Sequence, residues 1–401
     1  MHAPCTVAGT TLQPNRVLSA EGSGMSRWLL ALATSLFLHA ACAIAQPAPS
    51  PPVSSGVPAK VPPEVVVPPE PVAPTQVMAM PEELRTRVQA DFLSSRMSSH
   101  RRLQQLVEFM FDPDGLGVVY REDANYTVAE VYQYREANCL SFTMLFMALA
   151  REAGLKVFPQ EIEQTLSWRR DDGTLYLSNH VNAGVRIGPR LFTVDVAGDN
   201  VIARDPPTQI TEQRLLSHYY NNLAVARLEQ ADYPGALSLV AIALSLDPQY
   251  PSHWSNAGVM RVRNGDLAGG EQAYLHALAI DHRNSHALYN YAGLQQRLGN
   301  RTRELELRRR LARVQQNDPL FHFLQAAEYE RNGELTLAIR HYRIAIRLHD
   351  KEHRFHAALA NAYLEAGDVR RAVAALARAQ TLSEGDTRAA YEAQLDLLRE
   401  R

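Results

Sequence analysis

Small residues return every 34 positions through the second half of this 401-residue chain. Ala224, Gly258, Ala292, Ala326 and Ala360 form one series. Ala243, Ala277, Ala345 and Ala379 form a second, interrupted by Leu311. Ala236, Gly270, Ala338 and Ala372 form a third, interrupted by Glu304. Larger side chains stand between them at Val240, Tyr274, Tyr342 and Leu376, with Arg308 out of pattern. A fixed period of this length means one supersecondary unit stacked on copies of itself. Small residues let two helices cross closely, and large ones fill the facing holes. From about residue 212 onward the chain is therefore expected to be a stack of helical hairpins. The third unit, with Glu304, Arg308 and Leu311, is expected to pack least well.

The spacing and residue types resemble the tetratricopeptide (TPR) repeat, with five units over 212–385 and a polar capping helix over 386–401. The resemblance implies an all-α solenoid holding a protein or peptide partner. Each repeat packs mainly on its neighbours, so the region from residue 212 is expected to fold by itself. In repeats of this type the end of the first helix faces the groove. Arg263, Arg297 and Arg331 recur there at the same period, just before Gly265, Gly299 and Gly333. They form either a ladder that reads carboxylates or simple cationic complements to helix C-termini.

The first part of the chain is different in composition. Residues 25–45 read as a signal peptide: a short basic start at Met25-Ser26-Arg27, an apolar stretch from Trp28 to Ala41, then Ala43-Ile44-Ala45 before Gln46. The protein is thus expected to be exported to the periplasm. The alternatives are a membrane anchor from an uncleaved signal, or a lipid anchor on Cys42, either one facing the periplasm. Residues 1–24 carry no apolar pattern and read as a non-native upstream extension. Many of the 23 prolines fall within 46–76, which reads as a semi-extended linker. A net charge of −2 excludes a nucleic-acid partner held by bulk charge.

Export would leave one of the three cysteines, Cys139, in the folded protein, with no internal disulfide partner. Helices are expected at Pro81 to Leu93, Ser99 to Phe111, Thr127 to Tyr134 and Cys139 to Ala153. Asp112-Pro113-Asp114-Gly115 is a turn, Thr127 and Glu130 suit a capping box, and Gly154 stops the Cys139 helix. The period then changes. Leu155 to Ile162, Thr174 to Leu177, His180 to Ile187 and Leu191 to Val196 read as strands, followed by a crossover loop from Ala197 to Thr208. This makes 77–208 an α+β domain with N-terminal helices leading into an antiparallel sheet.

Cys139 opens its helix, His180 begins one strand, and Asp195 lies in the next. A helix end favours thiolate, an imidazole takes or shares the proton, and a carboxylate orients the imidazole. His180 and Asp195 must face the same way across a hairpin, which needs an even-length turn or a bulge. With Arg186 to Leu191 as the turn region, Asn182 lies opposite Asp195 and His180 diagonal to it.

The run from Ala137-Asn138-Cys139 to Gly154-Leu155 resembles the nucleophile helix of the transglutaminase-like (papain-like cysteine) superfamily. Asn179 to Val185 is similar to its histidine strand, and Thr193-Val194-Asp195-Val196 to its aspartate strand. The resemblance implies a catalytic Cys139–His180–Asp195 set acting on amide bonds by acyl transfer, as a peptidase or amidase with water or as a transglutaminase with an amine. No cofactor is implied, and no metal-ligand spacing is visible. The other reading is a non-catalytic envelope scaffold or assembly factor: a TPR array carrying a degenerate transglutaminase-like domain.

Overall fold

The computed structural model describes residues 17–18, 71–93, 97–168, 175–196, 201–203 and 205–399. The signal segment at 25–45, most of the proline linker, and both Cys5 and Cys42 lie outside them. So does the turn at 171–173. None of the helices among the described residues is long and apolar enough to cross a membrane.

Before the sheet come α1 (Pro74–Val77), α2 (Glu82–Val88), α3 (Ser99–Phe111), α4 (Val128–Tyr134) and α5 (Cys139–Glu152). One π-turn over Gln89–Leu93 prolongs α2. Thr127 caps α4: its hydroxyl accepts from Glu130 N–H while Glu130 reaches back to Thr127 N–H, satisfying two orphan donors together. In α5, ten of fourteen residues are buried, so this helix is apolar nearly all round and sits at the centre of the fold. It ends where the sequence demands. Gly154 takes φ +74°, and Leu155 N–H donates back to Ala150 O at 2.8 Å.

The main sheet runs β1-β6-β5-β4-β7, with β8 also on β4; β1 is Val17–Leu18, β4 Lys156–Trp168, β5 Leu175–Ile187, β6 Arg190–Val194, β7 Val201–Ala203 and β8 Thr208–Gln209. A separate parallel pair, β2 (Val119–Tyr120) and β3 (Glu136–Ala137), delivers the chain to α5. The β4–β6 pairings are antiparallel, and only the two-residue β1 joins β6 in parallel.

Three expectations need correction. The strands expected at Thr174 to Leu177 and His180 to Ile187 are one strand, because a bulge between Ile162 and Thr165 of β4 lets the ladder continue past Asn179. The expected crossover loop from Ala197 to Thr208 holds β7 and β8, which pair with the outer edge of β4. An open edge there would leave ladder donors unmet. Finally, the β5–β6 turn is shorter than Arg186 to Leu191, since pairing persists to Ile187↔Arg190 and only Gly188 and Pro189 turn. Gly188 supplies the positive φ that a two-residue hairpin needs.

The remainder is a helical solenoid. Its hairpins are α6 (Glu212–Glu229) with α7 (Tyr233–Leu246), α8 (Pro251–Arg263) with α9 (Leu267–Ile280), and α10 (Ser285–Arg297) with α11 (Arg301–Gln315). Then come α12 (Pro319–Arg331) with α13 (Leu335–Leu348) and α14 (His353–Glu365) with α15 (Val369–Leu382), closed by α16 (Gly385–Arg399). The small series are buried at the crossings, as at Ala326, Ala338 and Ala345, each 0% exposed. Gly258 shows why size matters: a Cβ there would stand 2.4 Å from the ring of the buried Tyr274. Gly293, in α10, has nothing within 4 Å of such an atom.

The first repeats do not stand apart from the sheet. One apolar cluster runs from Val77 through α5 and the sheet to Leu215, Tyr219, Leu223 and on to Met260. Polar bonds cross the same seam. Arg151 grips Glu212 at 2.6 and 3.0 Å, and Asn125 donates to Tyr219 O at 3.2 Å. Glu161, on β4, accepts from Tyr250 OH at 2.6 Å, with His218 Nε2 at 3.3 Å and Arg214 at 3.9 Å. Burial would push the Glu161 carboxyl up, but His218, Tyr250 and Arg214 hold it below its ordinary value. Beside it, His253 accepts or donates to Ser217 Oγ at 2.9 Å, while burial and the charges of His218 and Arg214 drive it well below 6.5.

Two outcomes follow from this packing. Gly258→Ala is expected to lower the urea unfolding midpoint, at a cost of about 1–3 kcal/mol from overpacking. Gly293→Ala should raise it, since alanine is the better helix former in open space. The junction is acid-sensitive. The depressed His253 and Glu161 values contribute stability that is present above their unfolded values. It is lost as pH falls, first below 6.5 for His253 and then below 4.5 for Glu161. Between pH 7.5 and pH 5 His180 works in the opposite direction, so the signature is a difference: on acidification the melting temperature of His253→Gln should fall less than that of the parent.

Candidate functional site

Cys139 is the first residue of α5, and the loop before it is built to hold that end still. Asn138 is the N-cap, its side chain accepting from Ser141 N–H at 2.8 Å while its own N–H donates to Ala124 O at 3.1 Å. Ser141 Oγ accepts from Tyr126 N–H at 2.7 Å and donates to Tyr126 O at 2.9 Å, clamping the first turn to the incoming chain. Phe142 N–H bonds to Asn138 O. The N–H groups of Cys139 and Leu140 are the donors of that turn left without a partner among the described residues. The thiol is half-buried.

His180 and Asp195 come from β5 and from the residue just past β6. The register Ala183↔Val194, continued by one pair, sets Asn182 opposite Asp195 and His180 one step diagonal, all on one face. His180 Nε2 lies 2.7 Å from Asp195 Oδ2, and Asn182 Nδ2 donates to the same oxygen at 3.1 Å. Both members of the pair are 3% exposed. Burial alone would lower the imidazole value. The Asp195 charge and bond, together with a hydrogen bond and charge coupling to Cys139, push it up to about 10. The ring is therefore an imidazolium at neutral pH, donating Nε2–H to Asp195 and leaving Nδ1–H for the sulfur.

The structure thus brings Cys139, His180 and Asp195 together. Sequence reasoning located Asn182 across from Asp195 but missed the layer behind it. Gln160, paired with Asn182 on β4, is 3% exposed and accepts from Thr193 Oγ1 at 3.3 Å. Gly184 lies against that layer, where a Cβ would meet Phe158 at 2.4 Å and Gln160 at 2.9 Å. The signal was available as alternate polar residues on a strand otherwise apolar. Asn138 directly before an apolar helical run was likewise a legible cap.

Arg263, Arg297 and Arg331 are a different case. Each is the last residue of its helix, α8, α10 and α12, and each is exposed. Arg331 bonds Glu328 of its own helix at 3.1 Å. They stand where cations complement helix C-termini. Among the described residues, no group of His, Cys, Asp and Glu is arranged to hold a metal ion.

No family model matches the chain, and no curated protein sequence matches it either. Solved structures similar to it include MamA 41-end from Desulfovibrio magneticus RS-1, at 16% identity over 41% of this chain and 94% of that one, with a TM-score of 0.24. Another is YrrB, described as a TPR protein with an unusual peptide-binding site, at 17% identity over 44% of this chain and 91% of that one, TM-score 0.24. A third is TTC0263, a thermophilic TPR protein in Thermus thermophilus, at 21% identity over 45% of this chain and 99% of that one, TM-score 0.26.

The elevated His180 value has a stability consequence. A value raised above 6.5 contributes stability that is fully present below about pH 6.5 and is lost as pH rises through 10. In an NMR titration of ring-labelled histidine, the His180 signals should stay those of an imidazolium past pH 8. In Asp195→Asn they should titrate at markedly lower pH, and the alkaline loss of melting temperature should flatten.

Proposed function

We propose that this protein is a cysteine-dependent acyl-transfer enzyme acting on amide bonds, with Cys139 as nucleophile, His180 as acid–base and Asp195 as the group that holds His180. Its catalytic part is a transglutaminase-like domain over 77–208, and its repeats hold a protein or peptide partner. The leader at 25–45 makes it an exported, periplasmic protein in this reading. What carries the reading is one observation: a buried His180–Asp195 bond beside a thiol on the first residue of a helix whose end still has N–H groups to give.

The chemistry runs through the chain's own groups. The proton of the Cys139 thiol passes to His180, so that the sulfur attacks the amide carbonyl carbon as thiolate, and the C=O pair moves onto oxygen. The N–H groups of Cys139 and Leu140 stabilise that oxyanion. The His180 imidazolium gives its Nδ1 proton to the departing amine as the C–N bond breaks, leaving a thioester. Water or an amine then attacks the thioester, His180 takes its proton, and the sulfur leaves. Asp195 fixes the ring and stabilises its cation at both stages.

A second reading has its own support. His180 and Asp195 are buried, and the helical repeats occupy more of the chain than the sheet does. In that reading the protein is a non-catalytic scaffold whose Cys139 site is a relic.

The two readings diverge on the reactivity of Cys139. In the enzyme reading, an electrophilic peptidyl probe labels Cys139 and no other position. Labelling at pH 7 slows on the order of tenfold or more in His180→Ala. On any amide substrate for which Cys139→Ala is dead, Asp195→Asn should lower turnover by on the order of 10²-fold while the fold survives. A Cys139 that reacts no faster than a free thiol, with His180→Ala unchanged, leaves the scaffold reading standing.

A further inference from the structure

Far from the Cys139 site, a groove opens between α13 and α15, the second helices of the last two hairpins. It is a shallow, open groove of about 440 Å³, floored by Ile346, Leu359 and Tyr363. Leu359 and Tyr363 belong to α14, which lies between the two walls, and both are 7% exposed. Four arginines line the rim: Arg343 and Arg347 from α13, Arg371 and Arg378 from α15. No Asp or Glu lines it.

Three of the four charges on this rim are not spent within the fold. Arg371 pairs with Asp368 at 3.2 Å and lies over the Tyr363 ring. Arg343, Arg347 and Arg378 make no ion pair among the described residues, and all three are exposed. Arg343 and Arg347 stand four apart on one helix, where like charges repel. The chain as a whole carries −2, so this is a local concentration of positive charge and not a general excess.

We infer that this groove binds an acidic segment of a protein partner, in which an apolar side chain is flanked by carboxylates. Guanidinium forks match carboxylates in geometry and hold them bidentately. The buried floor takes the apolar side chain, in a recess whose volume falls within the usual range for a small ligand site. A nucleic-acid backbone offers nothing to that apolar floor. The site is distinct from Arg263, Arg297 and Arg331, which end the first helices of their hairpins. The inference rests on the reading of the repeats as a protein-binding surface and uses no residue of the Cys139 site.

The test is fluorescence anisotropy on the full chain. The probe is a labelled peptide of about ten residues, Asp and Glu around one central Leu, compared with the same peptide carrying Ala in its place. The Leu peptide should bind. Affinity should fall on the order of tenfold or more in Arg347→Glu/Arg378→Glu, and also for the Ala peptide. It should fall with added salt, and stay unchanged in Arg297→Glu/Arg331→Glu. Far-UV circular dichroism and melting temperature should be those of the parent, because both substituted arginines are exposed. Equal binding of the Leu and Ala peptides would reduce the groove to diffuse charge and overturn the inference. So would unaltered affinity in Arg347→Glu/Arg378→Glu. Loss confined to Arg297→Glu/Arg331→Glu would move the site to the first helices, leaving the repeats as a protein-binding surface but not here. Displacement of the peptide by phosphatidylglycerol vesicles, with vesicle binding lost in Arg347→Glu/Arg378→Glu, would make a lipid the occupant instead. No binding of the Leu peptide by the parent would overturn the groove and leave the protein-binding reading of the repeats as it stands.

Discussion

Glu161 is a carboxylate 1% exposed on a strand of the sheet, and most of its partners lie on helices of the repeats. Tyr250 donates to it, His218 stands at 3.3 Å, and Arg214 balances its charge; Asn179 of the sheet adds a longer bond at 3.4 Å. A buried charge without compensation is far too costly to retain, so the sheet in this form requires the first hairpins of the solenoid. The apolar seam says the same. Tyr219, Leu223 and Met260 share one cluster with α5 and the sheet. The two parts look separable in composition, but they are one folding problem at their boundary. The last two hairpins, by contrast, have a core of their own.

That boundary also lies close to the candidate site. Glu161 and Asn179 neighbour Gln160 and His180 in sequence and point to the opposite face of the sheet. The strand bearing His180 is thus held from both sides: by the polar layer of Asn182, Gln160 and Thr193 on one, and by the junction on the other. The thiol is placed independently, by a capped helix clamped through Ser141 to Tyr126. Three side chains from a helix, a strand and a strand end meet where each support is fixed by hydrogen bonds of its own. That is the physical condition for a preorganised site.

The third hairpin shows how a repeat survives the loss of its pattern. Glu304 occupies a small-residue position and is 2% exposed, bonded by Arg308 at 2.7 Å and Arg301 at 2.8 Å. These bonds hold its carboxyl below the ordinary value. Arg308, which replaces the large apolar residue of the series, serves as its partner and also reaches Gln296 at 3.0 Å. Leu307 and Leu311 keep the apolar contact, at 0% and 7% exposure. What reads as degeneracy in the series is thus a local exchange of close packing for an ion-paired crossing.

The residues by themselves determined the solenoid, because strict 34-residue spacing of small side chains admits one packing solution, and they determined the ends of α5, because Asn138 and Gly154 are chemical start and stop signals. They also determined the parity of the site: any even hairpin sets His180 and Asn182 on the same face as Asp195, and one centred on Gly188 and Pro189 sets Asn182 directly across from it. The strand lengths were not legible, since a bulge opposite Asn179 and the capture of β7 and β8 by an open edge depend on partners distant in sequence. Nor was the closing of the Cys139–His180–Asp195 set, or the sharing of one core by sheet and repeats. Pattern along the chain fixes which face a side chain takes. Only tertiary packing fixes what stands within hydrogen-bonding reach of that face, because distance between elements is set by the side chains packed between them and not by either element alone.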